Sequence, residues 1–280
     1  MRRTDSHNPT TTVLPGTFDI IPPPRSTPAG AAVSCAMVIL MSAVVMAPHG
    51  SSPWATATGA LLAAAAFATR AMPAFHLSLF GFFWLVLPLL YPIFRAWPVN
   101  LAAPLAAYGL LVATLPSLRR TFGWLRRGRL GPDILTAVAA IAVISGAALI
   151  CWYLAVRPEP AQVLRNMPRM PVWLYPFAGI AFALGNAALE ESVFRGIVMD
   201  ALDSAFGPGR ASIALQAAPF ALFHFHGGFP SGYWGVALAF IYGLMLGAVR
   251  RRAKGMLAPW LAHVGADSVI FIILAWVSLR

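Results

Sequence analysis

Few ionisable side chains interrupt the apolar stretches of this 280-residue chain, and those that do have types that could do chemistry together. Glu190 opens the run Glu190-Glu191-Ser192-Val193-Phe194-Arg195-Gly196, His224 closes Phe220-Ala221-Leu222-Phe223-His224, and His263 opens His263-Val264-Gly265-Ala266-Asp267. A charge at the centre of a bilayer costs at least about 2.5–3.5 kcal/mol, so an ionisable residue inside an apolar span has either a partner or a task. Hydrolysis of an amide needs a base for water, a partner for the developing negative oxygen and an acid for the leaving amine. One carboxylate and two imidazoles supply all three.

Spacing says which of these groups can meet. Glu191 and Arg195 stand at i,i+4 and read as an ion pair that neutralises both charges in an apolar setting, which leaves Glu190 without a cation of its own. His263 and Asp267 share a helix face in the same way, as do Phe220 and His224. Gly207-Pro208-Gly209 is a turn signal between two helices. At ~1.5 Å rise per residue, Glu190 and His224 both lie roughly 23–26 Å from that turn, so an antiparallel hairpin sets them level. His226, beside Gly227 and Gly228, reads as a loop residue, and His76 as a packing one.

The elements that must carry these groups are legible in the composition. Apolar residues make up 59% of the chain and charged ones only 10%, with a mean hydropathy of +0.73. A soluble domain is nearer a quarter charged. Apolar blocks occupy 29–48, 53–69, 74–94, 97–115, 134–156, 172–206, 210–226, 231–249 and 256–279, and their lengths suit a ~30 Å hydrocarbon core. The expected fold is therefore an all-α, polytopic transmembrane bundle of about nine spans, eight being the alternative. Residues 1–28 read as a flexible N-terminal tail, 29–171 as a transmembrane scaffold and 172–280 as the part holding the site.

The net charge of +11 comes from 20 basic and 9 acidic residues. The basic residues gather in short runs between apolar blocks, which fits membrane topology and not a nucleic-acid surface. With the N-terminus in the cytoplasm, the inner connections hold fourteen Arg and Lys, chiefly Arg119 to Arg129 and Arg250 to Lys254, against five outside. The bias of arginine over lysine, with many alanines, points to a GC-rich bacterial genome and hence to a multi-pass protein of the inner (plasma) membrane. Cys35 and Cys151 match no metal or redox spacing and read as small buried hydrophobes.

At these residues the sequence resembles the CAAX-protease and bacteriocin-processing (CPBP) family of glutamic-type intramembrane endopeptidases. Two glutamates, three residues and an arginine are matched by Glu190 through Arg195, a phenylalanine four before a histidine by Phe220 and His224, and a histidine four before Asn or Asp by His263 and Asp267. The resemblance covers about residues 175 to 275. It implies peptide-bond hydrolysis within the membrane without metal or other cofactor. Glu190 would activate water and His224 would assist. His263 and Asp267 would stabilise the oxyanion, while Glu191, Arg195 and Phe220 hold the geometry. The implied partners are the lipid bilayer and a membrane-embedded or lipidated protein or peptide substrate. Asp267 departs from the Asn of the prenyl-protease form: an ionised Asp cannot donate to an oxyanion, so it either carries a proton or accepts from His263 and fixes that ring.

Two other readings use the same residues. Glu190, His224 and His263 could bind zinc, although no HExxH pair is present. A non-catalytic immunity factor, scaffold or proton-coupled transporter would also retain buried acids.

Overall fold

Prolines and small polar residues punctuate this chain into helices, and the caps show how. Pro28 opens α1 (Pro28–Met46) behind Thr27, whose hydroxyl accepts from Gly30 N, and Pro53 opens α2 (Pro53–Ala68) behind Ser52, which accepts from Ala55 N. Proline at the first helical position sacrifices no hydrogen bond and pre-sets φ. The remaining long helices are α3 (Met72–Leu90), α4 (Val99–Thr114), α5 (Pro132–Val156), α6 (Val172–Phe206), α7 (Arg210–Phe223), α8 (Gly232–Ala253) and α9 (Leu257–Ser278). The computed structural model describes residues 25–47, 50–164, 167 and 170–280, so residues 1–24 of the expected tail lie outside the described residues.

Each apolar block corresponds to one of these helices, and no strand occurs among the described residues. Six helices, α1, α3, α5, α6, α8 and α9, are long and apolar enough to cross a membrane. The other three are shorter, α2 and α4 with 16 residues each and α7 with 14. Their rise of ~21–24 Å falls short of a ~30 Å core. Large apolar side chains such as Ile39, Leu61, Val143 and Ile272 are exposed on the bundle surface, as expected where lipid is the solvent. The chain is a multi-pass membrane protein. Cys151 is among the outward-facing residues and Cys35 is half-buried, which corrects the expectation that both are buried: an outer helix face in lipid gains nothing by burying a thiol.

Helix α6 is the axis of the site. It runs through 35 residues, but its turns widen to π geometry over Ser192–Val198. The widening coincides with a close approach: a Cβ on Gly196 would lie 2.6 Å from the Trp124 ring. Trp124 belongs to an extended segment after the short helix Pro116–Thr121, and that segment is pinned to the α8–α9 turn by Arg129 N to Ala253 O (2.9 Å) and Met256 N to Arg126 O (2.7 Å). The two basic clusters, Arg119 to Arg129 and Arg250 to Lys254, thus meet at one end of the bundle.

The Gly207-Pro208-Gly209 turn lies at the same end. Gly207 takes φ +81° there, and Arg251 of α8 binds Asp203 at 2.7 Å and Ser212 at 2.9 Å across it. Helix α7 packs on α8 through small residues. Gly243 and Gly247 leave room for Ala217 and Gln216, and Gln216 Nε2 donates to Gly243 O at 2.9 Å. Helix α9 packs against α5 and the first half of α6. His76 is buried and saturated, with Tyr108 and Thr121 each at 2.9 Å.

Candidate functional site

The three ionisable motifs converge where α6, α7, α8 and α9 meet. Glu191 Oε1 accepts from Arg195 Nη1 at 3.0 Å, one turn along α6, and both side chains are buried. The same oxygen lies 2.7 Å from His263 Nδ1 on α9. A carboxylate already paired with a guanidinium can only accept, so His263 Nδ1 carries the hydrogen. The ring's other nitrogen, Nε2, then faces two further acids, Glu190 Oε2 at 3.6 Å and Asp267 Oδ1 at 3.7 Å. Glu190 Oε2 is buried and makes no hydrogen bond among the described residues.

His224 is the C-cap of α7, which ends at Phe223, three residues before the apolar block does. Its Nδ1 lies 2.8 Å from Phe220 O. A carbonyl only accepts, so this histidine too donates through Nδ1 and leaves Nε2 uncommitted. Glu190, His263 and Arg195 act on it electrostatically. His224 is half-buried whereas Glu190 and His263 are 7% and 3% exposed, so the cluster approaches the surface at His224.

Aromatic rings hold this arrangement. The Phe220 ring carries the Arg195 guanidinium 4.1 Å above its centroid and meets the His224 ring edge-on at 4.9 Å. Tyr242 of α8 packs edge-on against His263 at 5.3 Å. A cation over an aromatic face is attracted by the ring quadrupole, more so when desolvated. Phe220 therefore touches both the ion pair and a histidine.

Asp267 has one oxygen toward His263 Nε2 and the other toward Asn186, whose Nδ2 donates to Asp267 Oδ2 at 3.1 Å, while Glu191 holds the ring's Nδ1. Asn186 and Tyr242 had no motif to announce them. A cavity of about 400 Å³ opens beside Glu191, between Arg126 and Arg127 of the extended segment and Met256, Leu257 and Trp260 at the start of α9. Among the described residues, no group of three or more His, Cys, Asp or Glu side chains is arranged to hold a metal ion.

The paired glutamates, arginine, histidines and acid lie within a segment that is similar to a known family. Residues 171–269 match the family model described as Type II CAAX prenyl endopeptidase Rce1-like. No curated protein and no solved structure matches the chain. The Rce1-like segment contains every motif residue from Glu190 to Asp267, and the family implies a peptidase. Trp97, Tyr108 and Trp124 lie before it.

Proposed function

We propose that the chain is a glutamic-type intramembrane endopeptidase in which Glu190 activates water. The observation that carries this reading is the buried Glu190 Oε2, without a hydrogen bond among the described residues, beside an imidazole nitrogen, His263 Nε2 at 3.6 Å, whose partner nitrogen is already committed. Glu190 takes a proton from water, the water oxygen adds to the scissile carbonyl carbon, and negative charge moves to the carbonyl oxygen. His263 as the imidazolium, with hydrogens on both nitrogens, donates Nε2–H to that oxygen, and collapse of the tetrahedral species breaks the C–N bond as the leaving nitrogen takes the proton from Glu190. His224, at the accessible edge, orients the water. Asp267 balances the charge on His263, while Glu191, Arg195 and Phe220 hold the geometry.

In this reading residues 172–280 form the catalytic part and 29–171 the scaffold. The substrate is a membrane-embedded or lipidated protein or peptide. It reaches the cluster from the bilayer, and the cavity beside Glu191 offers space for it. The positive-inside rule supports a basic end of the bundle, and with it the N-terminus, on the cytoplasmic side of a plasma membrane, with nine crossings when the three shorter helices traverse a locally thinned bilayer. Quantitative proteomics of membranes carrying the native protein or its Glu190→Gln form tests the activity. A peptide whose cleavage depends on Glu190 is expected. Identical membrane proteomes, with both proteins folded and inserted, would contradict it.

A further inference from the structure

The geometry points to Asn186 and Trp97 as positioning residues that lock Asp267 and thereby set the environment of His263 Nε2, an inference that rests on the peptidase reading above. The chain of hydrogen bonds has only one polarity. An indole N–H donates and cannot accept. Trp97 Nε1 lies 2.9 Å from Asn186 Oδ1, so that oxygen accepts. The amide nitrogen must then point the other way, and Nδ2 meets Asp267 Oδ2 at 3.1 Å. Oδ2 is thereby fixed as an acceptor, and Oδ1 is the oxygen left to address His263 Nε2 at 3.7 Å.

Position makes this a clamp. Asn186 precedes Glu190 by one turn on α6, and Asp267 follows His263 by one turn on α9. Their bond closes the α6–α9 interface one turn away from the Glu190–His263 approach, while the Glu191–His263 bond closes it within that approach. Both members are buried, Asn186 at 8% and Asp267 at 2% exposure. A buried amide held at both ends cannot flip without leaving two polar groups unsatisfied.

The indole itself packs against the tilted Phe182 ring at 5.4 Å between centroids. Trp97→Phe would keep an aromatic ring there and remove the donor. The Asn186 amide would then be free to turn its oxygen toward the carboxylate. Trp97 comes from the connection between α3 and α4, outside the matched segment, so the relay gives the scaffold a defined role at the site.

Nitrogen NMR of the full-length protein in lipid nanodiscs, with 15N-labelled histidine and the His263 signals identified by their loss in His263→Gln, tests the relay. Trp97→Phe and Asn186→Leu are each expected to move the His263 Nε2 signal in the direction that Asp267→Ala moves it, and neither to move it further once Asp267 is Ala. A merely structural role for Trp97 would leave that signal in place. The proposal is overturned if neither substitution moves it, or if both move it equally with Asp267→Ala present. On the peptide found by the proteomic comparison, Trp97→Phe is expected to lower kcat about tenfold with KM unchanged, as for a reacting group slightly misplaced. If the native protein cleaves nothing, the peptidase reading fails while the NMR signal still decides the relay.

Discussion

His263 Nδ1 and Glu191 Oε1 stand 2.7 Å apart, joining two helices through residues 72 positions apart in the chain. That same carboxylate oxygen receives the Arg195 guanidinium at 3.0 Å, so one buried acid neutralises a cation and fixes an imidazole.

Replacing this acid should therefore do more than remove one bond. Glu191→Leu leaves Arg195, which is fully buried, without a counter-charge, and breaking one side of a buried pair costs about 3–5 kcal/mol. Glu191→Gln keeps an oxygen for both partners and should cost less. Denaturant unfolding in detergent micelles ranks the three proteins, and equal stability of the Leu variant and the native protein would contradict the pairing.

Phe220 is expected to be equally sensitive for a different reason. Its ring is 1% exposed and packs against Arg195, His224 and Phe194. Phe220→Ala should lose about 3–5 kcal/mol through the cavity it leaves. Phe220→Leu should lose less, because most of the volume is retained. Thermal unfolding of the two variants checks the order, and a Leu variant less stable than the Ala variant would refute it.

A third substitution probes the widened turns of α6. Gly196→Ala places a methyl group 2.6 Å from the Trp124 ring, and overpacking of this kind costs about 1–3 kcal/mol. Combining it with Trp124→Leu should cost less than the sum of the two single changes, because the smaller side chain makes room. Additive losses would show that the two residues do not touch.

How much of this was legible in the sequence depends on whether a contact is local. Glu191 with Arg195 could be read because one helical turn brings them together, and the Gly207-Pro208-Gly209 turn could be read because glycine and proline report on backbone conformation directly. The level placement of Glu190 and His224 follows from counting along two helices. Only part of the surroundings of His263 could be read: periodicity offered Asp267, one turn away and 3.7 Å from Nε2, whereas tertiary packing supplied Glu191 at Nδ1. Asn186 and Trp97 carry no charge and match no motif, so nothing marked them in a chain where many uncharged side chains merely pack. The π turns of Ser192–Val198 coincide with the approach of a ring from a distant segment to Gly196. The helix count follows from hydropathy, but the shortness of α2, α4 and α7 is set by caps and prolines that a sliding window averages away.

Orientation is open to direct measurement. In a background with Cys35 and Cys151 replaced, cysteine at position 129 should be shielded from a membrane-impermeant maleimide in intact cells, and cysteine at position 159 should react. Both native side chains are exposed, so failure to label reports sidedness and not burial. The reverse pattern would place the basic end of the bundle outside, against the positive-inside rule.

The base assigned to Glu190 is tested most directly by the cleavage rate of the purified Glu190→Gln protein in proteoliposomes on the peptide identified from membranes. Glutamine keeps the size of the side chain and cannot take a proton from water, and loss of a general base costs about 10²–10⁴-fold. The expected result is a fall in kcat of that order with the fold intact and binding retained. A Glu190→Gln protein that cleaves at the native rate would show that another group activates the water.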